Sequence, residues 1–244
     1  MSQVDRLVTV AARPSPVEFS PESSAVIVVD MQNDFAAAGG MFDRANIDIG
    51  CIQAIVPRTA EVLQLARTVG MLVVYVKMAF RPDLADTGGP NSPTWLKHLP
   101  LQAGAHVVAP DGSASRVLIR DTWNTNIVTE LTPAPGDVVM YKHRYSGFYE
   151  TELDDVLRDR GVSHLIVTGA TTSVCVESTV RDAVFRDYHC LVLEDCTAEP
   201  IAFDSPRSNH EASLLVLELL FASITHSTAL IDALTPLAGT ATAH

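Results

Sequence analysis

Basic residues are scarce in this 244-residue chain: 17 Lys and Arg stand against 29 Asp and Glu, a formal net charge of −12. No Lys/Arg cluster interrupts the acidic background, so the electrostatic footprint of a phosphate-backbone binder is missing and nucleic acid is not expected as a partner. Long apolar runs are missing too. Stretches such as Ala25–Val29 and Leu214–Leu217 fall far short of the roughly 20 residues that span a bilayer. The polar start Met1-Ser2-Gln3-Val4-Asp5 has no signal-peptide core. A soluble cytoplasmic protein without a membrane partner is expected. Cysteine is sparse as well. Cys51, Cys175, Cys190 and Cys196 show no close CxxC spacing, which argues against a disulfide framework and a zinc signature.

What the chain does have is 47% hydrophobic residues, ample for the core of one sizeable domain. Five short runs rich in Val, Ile and Leu read as buried parallel strands: Ala25–Asp30, Met71–Lys77, Asp137–Lys142, His164–Gly169 and Cys190–Asp195. Helix patterns lie between them. Pro57 is placed as a first-turn residue ahead of Val62, Leu65, Ala66 and Val69, with Gly70 as the stop. Thr151 with Asp154 resembles a capping box closed by Gly161, and Ser208 with Glu211 repeats the pattern before Leu214, Leu217 and Leu220. Strand and helix alternating in this way predict an α/β fold, a doubly wound sheet with helices on both faces and ligands at its carboxyl edge. Residues 1–20 read as an irregular lead-in, 21–236 as a single domain and 237–244 as a frayed tail. The Pro/Gly-rich stretch 81–121 has no clear period and is a candidate lid or subunit contact.

Cys175 carries the chemistry. It follows the run His164-Leu165-Ile166-Val167-Thr168 and the turn Gly169-Ala170-Thr171-Thr172-Ser173-Val174, just before a helical pattern. A thiol at a helix start meets a dipole and free N–H groups that favour thiolate, and the same N–H groups can receive an oxyanion. A free cysteine is also often just a small buried hydrophobe. Asp30 closes the first strand and Lys142 the third, each compatible with a solvated strand end. Parallel strands, however, bring all three residues to one edge. There a carboxylate can accept the thiol proton and return it to a leaving amine, while an ammonium stabilises both anions.

Three motifs, Val28-Val29-Asp30-Met31-Gln32-Asn33-Asp34-Phe35, Lys142 with Tyr145-Ser146-Gly147-Phe148, and Gly169 through Ala183 around Cys175, resemble the isochorismatase-like cysteine hydrolase superfamily over about residues 25–195. The resemblance implies a six-stranded parallel sheet in a three-layer α/β/α fold and a Cys175–Asp30–Lys142 triad. It also implies a cis peptide at Ala170–Thr171 that aims the N–H groups of Thr171 and Cys175 at an oxyanion. Retention of the cysteine favours C–N hydrolysis over vinyl-ether cleavage. Where nicotinamidases carry an Asp-x-His metal motif, this chain reads Lys77-Met78-Ala79-Phe80-Arg81-Pro82-Asp83, so no metal is expected, nor any other cofactor. The segments Gly88-Gly89-Pro90-Asn91-Ser92-Pro93 and Arg144-Tyr145-Ser146-Gly147-Phe148 are similar to ureidoacrylate amidohydrolases, with biuret and triuret hydrolases the nearest alternative.

The expected activity is therefore cysteine-dependent hydrolysis of a small ureido or amide compound through a thioester-like intermediate. N-carbamoyl amino acids and maleamate are further substrate candidates, and an inactive metabolite-binding scaffold is the non-enzymatic alternative. Asn33, Phe35, Arg81 and Tyr145 are candidate substrate-binding residues, with Trp123 and His210 as outlying ones. Arg81, Arg144 and His143 are the cations available to a substrate carboxylate. Relatives usually form dimers or tetramers, so a homodimer or homotetramer is expected.

Overall fold

A computed structural model describes residues 6–201 and 208–241. In chain order its elements are β1 (Val8–Val10), β2 (Val17–Phe19), β3 (Ser24–Val29), α1 (Asn33–Ala36), α2 (Met41–Arg44), α3 (Gly50–Thr68) and β4 (Leu72–Met78). There follow α4 (Pro93–His98), β5 (His106–Val108), β6 (Ala114–Arg116), β7 (Val138–Lys142), α5 (Leu153–Asp159) and β8 (His164–Ala170). The chain continues through α6 (Glu177–Val184), β9 (His189–Ala198), α7 (Asn209–Leu220), β10 (Ser223–Thr225) and α8 (Ser227–Ala241).

Six strands form one sheet in the order β10-β9-β8-β3-β4-β7, every neighbouring pair parallel. Strand alternation sorts the core onto two faces. Val26 and Val28 of β3 pack with Ile52, Val62 and Leu63 of α3 and Leu230 and Leu234 of α8. Ala25, Ile27 and Val29 pack with Leu153 and Leu157 of α5, Val180 of α6 and Leu217 of α7. The result is the expected three-layer α/β/α architecture. All five runs read from the residues are strands of this sheet, and the sixth, β10, has only three residues.

Several local expectations are corrected. Pro57 does not start a helix; it lies inside α3, which begins at Gly50. Ile52, Ile55 and Val56 are buried upstream of it, as are Thr59, Val62, Leu63 and Ala66 downstream, and this continuous apolar face outweighs the ~3 kcal/mol that an interior proline costs. Thr151 sits one residue too early to be a cap: its Oγ1 accepts from Leu153 N–H at 3.3 Å and donates to Gly147 O. Ser208 does cap α7, accepting from Glu211 N–H at 3.2 Å. The lead-in is partly regular, since β1 and β2 pair antiparallel and Arg13 exchanges backbone hydrogen bonds with Ile224 of the outermost strand, β10. The tail expected to fray is helical through Ala241, and residues 242–244 lie outside the described residues.

The segment 81–121 contains α4 and the β5–β6 hairpin. It is tied to the sheet edge through buried Asp34, whose Oδ2 accepts from Leu118 N–H at 2.7 Å and whose Oδ1 accepts from Met41 N–H at 2.9 Å and Asn124 Nδ2 at 2.5 Å. Burial raises the Asp34 carboxyl to about 7, against these hydrogen bonds.

Candidate active site

Asp30 follows β3 with φ +53°, a left-handed conformation that aspartate tolerates better than branched residues do. Its N–H still reaches Val76 O at 2.9 Å, which turns its carboxylate over the carboxyl end of β4. There Oδ1 accepts the Met78 N–H at 2.7 Å. Lys142 closes β7, beside Met78 in register. Its Nζ lies 2.7 Å from Asp30 Oδ2, the two side chains being 0% and 1% exposed, and 3.3 Å from Arg144 O. Asp30 Oδ2 accepts no well-directed hydrogen bond among the described residues, so it keeps a lone pair free for a proton.

Cys175 comes to the same place from the far side. β8 ends at Ala170, the Ala170–Thr171 peptide is cis, and a π-helical turn over Thr172–Val176 leads into α6. Within it the Val174 and Val176 N–H groups both close on Thr171 O at 3.2 Å, while Ser173 N–H donates to Glu199 Oε2 at 2.9 Å. The N–H groups of Thr171 and Cys175 belong to the same turn, at its N-cap and inside its π-helical segment. Gly169, at φ +114°, lets this turn cross β3 closely: a Cβ there would lie 2.1 Å from Val29 O. Thr179 Oγ1 accepts from Gly147 N–H at 2.9 Å and donates to Cys175 O at 2.7 Å, fixing the turn against the loop that carries Tyr145.

The Cys175 thiol lies within hydrogen-bonding reach of both Asp30 and Lys142. Its charge state corrects the expectation from the helix start. Burial pushes the thiol well above its ordinary range, the Asp30 charge adds to this, and Lys142 only partly opposes it. Both of the larger effects favour the thiol over the thiolate. Burial alone lowers Lys142, but the negative charge of the Asp30 carboxylate opposes this and the net shift is upward, leaving its ammonium stabilised.

These groups open on a cavity of about 170 Å³. Of the four candidate substrate-binding residues, Phe35 and Tyr145 line it. Asn33 does not: as the first residue of α1 it turns its amide to Trp123 O at 2.8 Å and faces a separate cleft with Trp123. Arg81 is also elsewhere, exposed and paired with Asp83 at 3.0 Å. Arg144 donates to Asp86 O and His143 O, and His143 pairs with Glu150 at 3.2 Å. His210 stands behind the turn, its Nδ1 2.9 Å from Thr172 Oγ1.

Sequence reasoning missed the wall supplied by α4, where Lys97 and His98 line the cavity together with Thr171 and Val174. Six helical residues in an aperiodic stretch leave no pattern to read. The Pro at the first helical position, Pro93, was the one local signal available.

Solved structures of similar architecture include a cysteine hydrolase from Pseudomonas syringae pv. phaseolicola 1448A, 28% identical over 97% of this chain and 100% of that one, with a TM-score of 0.74. An isochorismatase family protein from Desulfovibrio vulgaris subsp. vulgaris str. Hildenborough is 30% identical over 87% of this chain and 98% of that one, TM-score 0.68. N-carbamoylsarcosine amidase from Thermoplasma acidophilum is 26% identical over 84% and 96%, TM-score 0.61. The Isochorismatase domain model matches residues 24–229, which contain every group of the site. With that match across most of its length, this chain belongs to the isochorismatase family of hydrolases.

Proposed function

We propose that the protein is a cysteine-dependent amidohydrolase that cleaves a C–N bond of a small ureido or amide compound, with a ureidoacrylate-type molecule the first candidate. The observation that supports this reading is the buried Asp30–Lys142 pair, 2.7 Å apart, in contact with a thiol that faces a small cavity. A scaffold gains nothing from such a cluster, because burying an ion pair is costly unless its geometry is used.

In the proposed reaction the Cys175 proton passes to Asp30 Oδ2 as sulfur attacks the carbonyl carbon. Since the resting group is a thiol, proton transfer and attack are coupled to substrate entry. The N–H groups of Thr171 and Cys175 receive the oxyanion, an interaction whose loss typically costs ~3 kcal/mol in barrier height. Asp30 then returns the proton to the leaving nitrogen as the C–N bond breaks, leaving an acyl or carbamoyl group on sulfur. Water attacks this group, its proton passing through Asp30 back to the departing sulfur. Lys142 holds the Asp30 carboxylate in place throughout and offsets its charge.

Biuret and triuret remain alternatives. The likeness to N-carbamoylsarcosine amidase favours including N-carbamoyl amino acids, whose scissile bond is the same ureido C–N bond. An ammonia-release panel of ureidoacrylate, biuret, triuret, N-carbamoyl amino acids, maleamate and nicotinamide, with Cys175→Ala as the blank, tests the reading. Turnover of ureido compounds by the wild type alone is expected; turnover of nicotinamide alone overturns the ranking.

A further inference from the structure

The charges around the cavity do not cancel. Asp30 and Lys142 form a matched pair, Cys175 is a neutral thiol, and the remaining walls are largely apolar, with Phe35, Phe42 and Leu101 among them. His98 adds no charge. Its Nδ1 lies 2.7 Å from Thr94 O, a carbonyl that can only accept, so that nitrogen carries the hydrogen. Burial, with the nearby Lys142 and Arg144, keeps the ring unprotonated. What is left is Lys97 on α4, exposed at the cavity and without an ion pair or hydrogen bond to any described residue. The protein carries a net charge of −12, yet the charged groups at its candidate active site sum to one positive charge. The groups that the sequence offered to a substrate carboxylate are engaged elsewhere: Arg81 by Asp83, Arg144 by two backbone carbonyls and His143 by Glu150.

We propose that Lys97 is a specificity-determining residue that binds a carboxylate of the substrate, so that the site takes small anionic ureides or amides in preference to neutral ones. This rests on Cys175 being the reactive nucleophile. Lys97 is both exposed and part of the wall of a cavity whose other walls are largely apolar, and a single charge there acts through a lower effective dielectric than at an open surface. An anion entering there meets Lys97 first and presents its carbonyl end inward to Cys175. A substrate of the same shape with a neutral end forgoes that contact.

A matched pair of thiol reagents tests this without knowledge of the substrate. Iodoacetate and iodoacetamide form the same S–CH2 bond with loss of iodide and differ chiefly in charge. Their alkylation rates at Cys175, resolved site by site by mass spectrometry, are compared in the wild type and in Lys97→Met, Lys97→Glu and Lys97→Arg, with exposed Cys51 as the internal reference. The iodoacetate-to-iodoacetamide ratio at Cys175 is expected to fall about tenfold in Lys97→Met. It should fall further in Lys97→Glu and stay within about twofold of wild type in Lys97→Arg, while the ratio at Cys51 does not move. A ratio at Cys175 that is unchanged in Lys97→Met, with both reagents still reacting there, overturns the assignment of Lys97 and leaves the nucleophile standing. Failure of both reagents to modify Cys175 in the wild type overturns the nucleophile and this inference with it.

Discussion

Replacing Lys142 by Met removes one member of a fully buried ion pair and leaves the other. Met nearly matches the lysine stem in volume, so the principal loss is the ammonium 2.7 Å from Asp30 Oδ2. Asp30 then keeps the Met78 N–H at 2.7 Å and the neutral Cys175 thiol as compensation for its charge, with no cation beside it. Breaking a buried pair from one side typically costs 3–5 kcal/mol, and at roughly 2–4 °C per kcal/mol for a domain of this size the melting temperature should fall by about 6–20 °C. Asp30→Asn should cost a comparable amount, by stranding the ammonium. Combining Asp30→Asn with Lys142→Met removes both charges, and the double variant should melt well above either single one. It should nevertheless remain inactive, because nothing is left to take the thiol proton. Thermal unfolding followed by circular dichroism, alongside turnover on whichever panel substrate the wild type accepts, reads both halves. A Lys142→Met protein melting within about 2 °C of wild type would refute the view that the pair is buried and coupled.

Other outcomes follow from the same geometry. Because burial and Asp30 hold Cys175 as a thiol, its alkylation by iodoacetamide should keep accelerating from about pH 7 to about pH 10; a plateau by about pH 8 contradicts that state. Gly169→Ala places a Cβ 2.1 Å from Val29 O at φ +114° and should destabilise the fold by more than about 3 kcal/mol in urea unfolding; an unfolding midpoint like that of wild type would show that the β3–β8 approach is looser than described. Asp34 binds its proton up to about 7 when folded but only to about 4 when unfolded. Between those values the folded state holds more protons, so this residue's contribution to stability falls as pH rises. Asp34→Asn should remove that slope, and an unchanged slope places the titration elsewhere.

The fold was legible where side-chain pattern alone decides structure. β3, β4, β7, β8 and β9 announce themselves as short β-branched runs because both faces of a central parallel strand are buried. β10, three residues long, carries too little pattern, and Pro57 misled because the packing of α3 was visible only as a continuous face on both sides of it. That Asp30, Lys142 and Cys175 lie together was legible for a topological reason, since parallel strands deliver their carboxyl ends to one edge. Asn33 and Arg81 were misplaced because closeness to a strand end in sequence does not fix direction. The start of α1 turns Asn33 toward Trp123, and the chain after Phe80 carries Arg81 out to Asp83. The charge state of Cys175 was misjudged because the backbone dipole of a helix start is a local property, while desolvation comes from the whole fold.

In the proposed reaction Cys175 carries a covalent intermediate formed with the help of Asp30. Acid-quenching the enzyme during turnover of an accepted ureido or amide substrate, followed by intact-mass and peptide analysis, tests it most directly. The acyl or carbamoyl fragment is expected on Cys175 in the wild type, with neither adduct nor turnover in Cys175→Ala. Turnover by Cys175→Ala at the wild-type rate would contradict it.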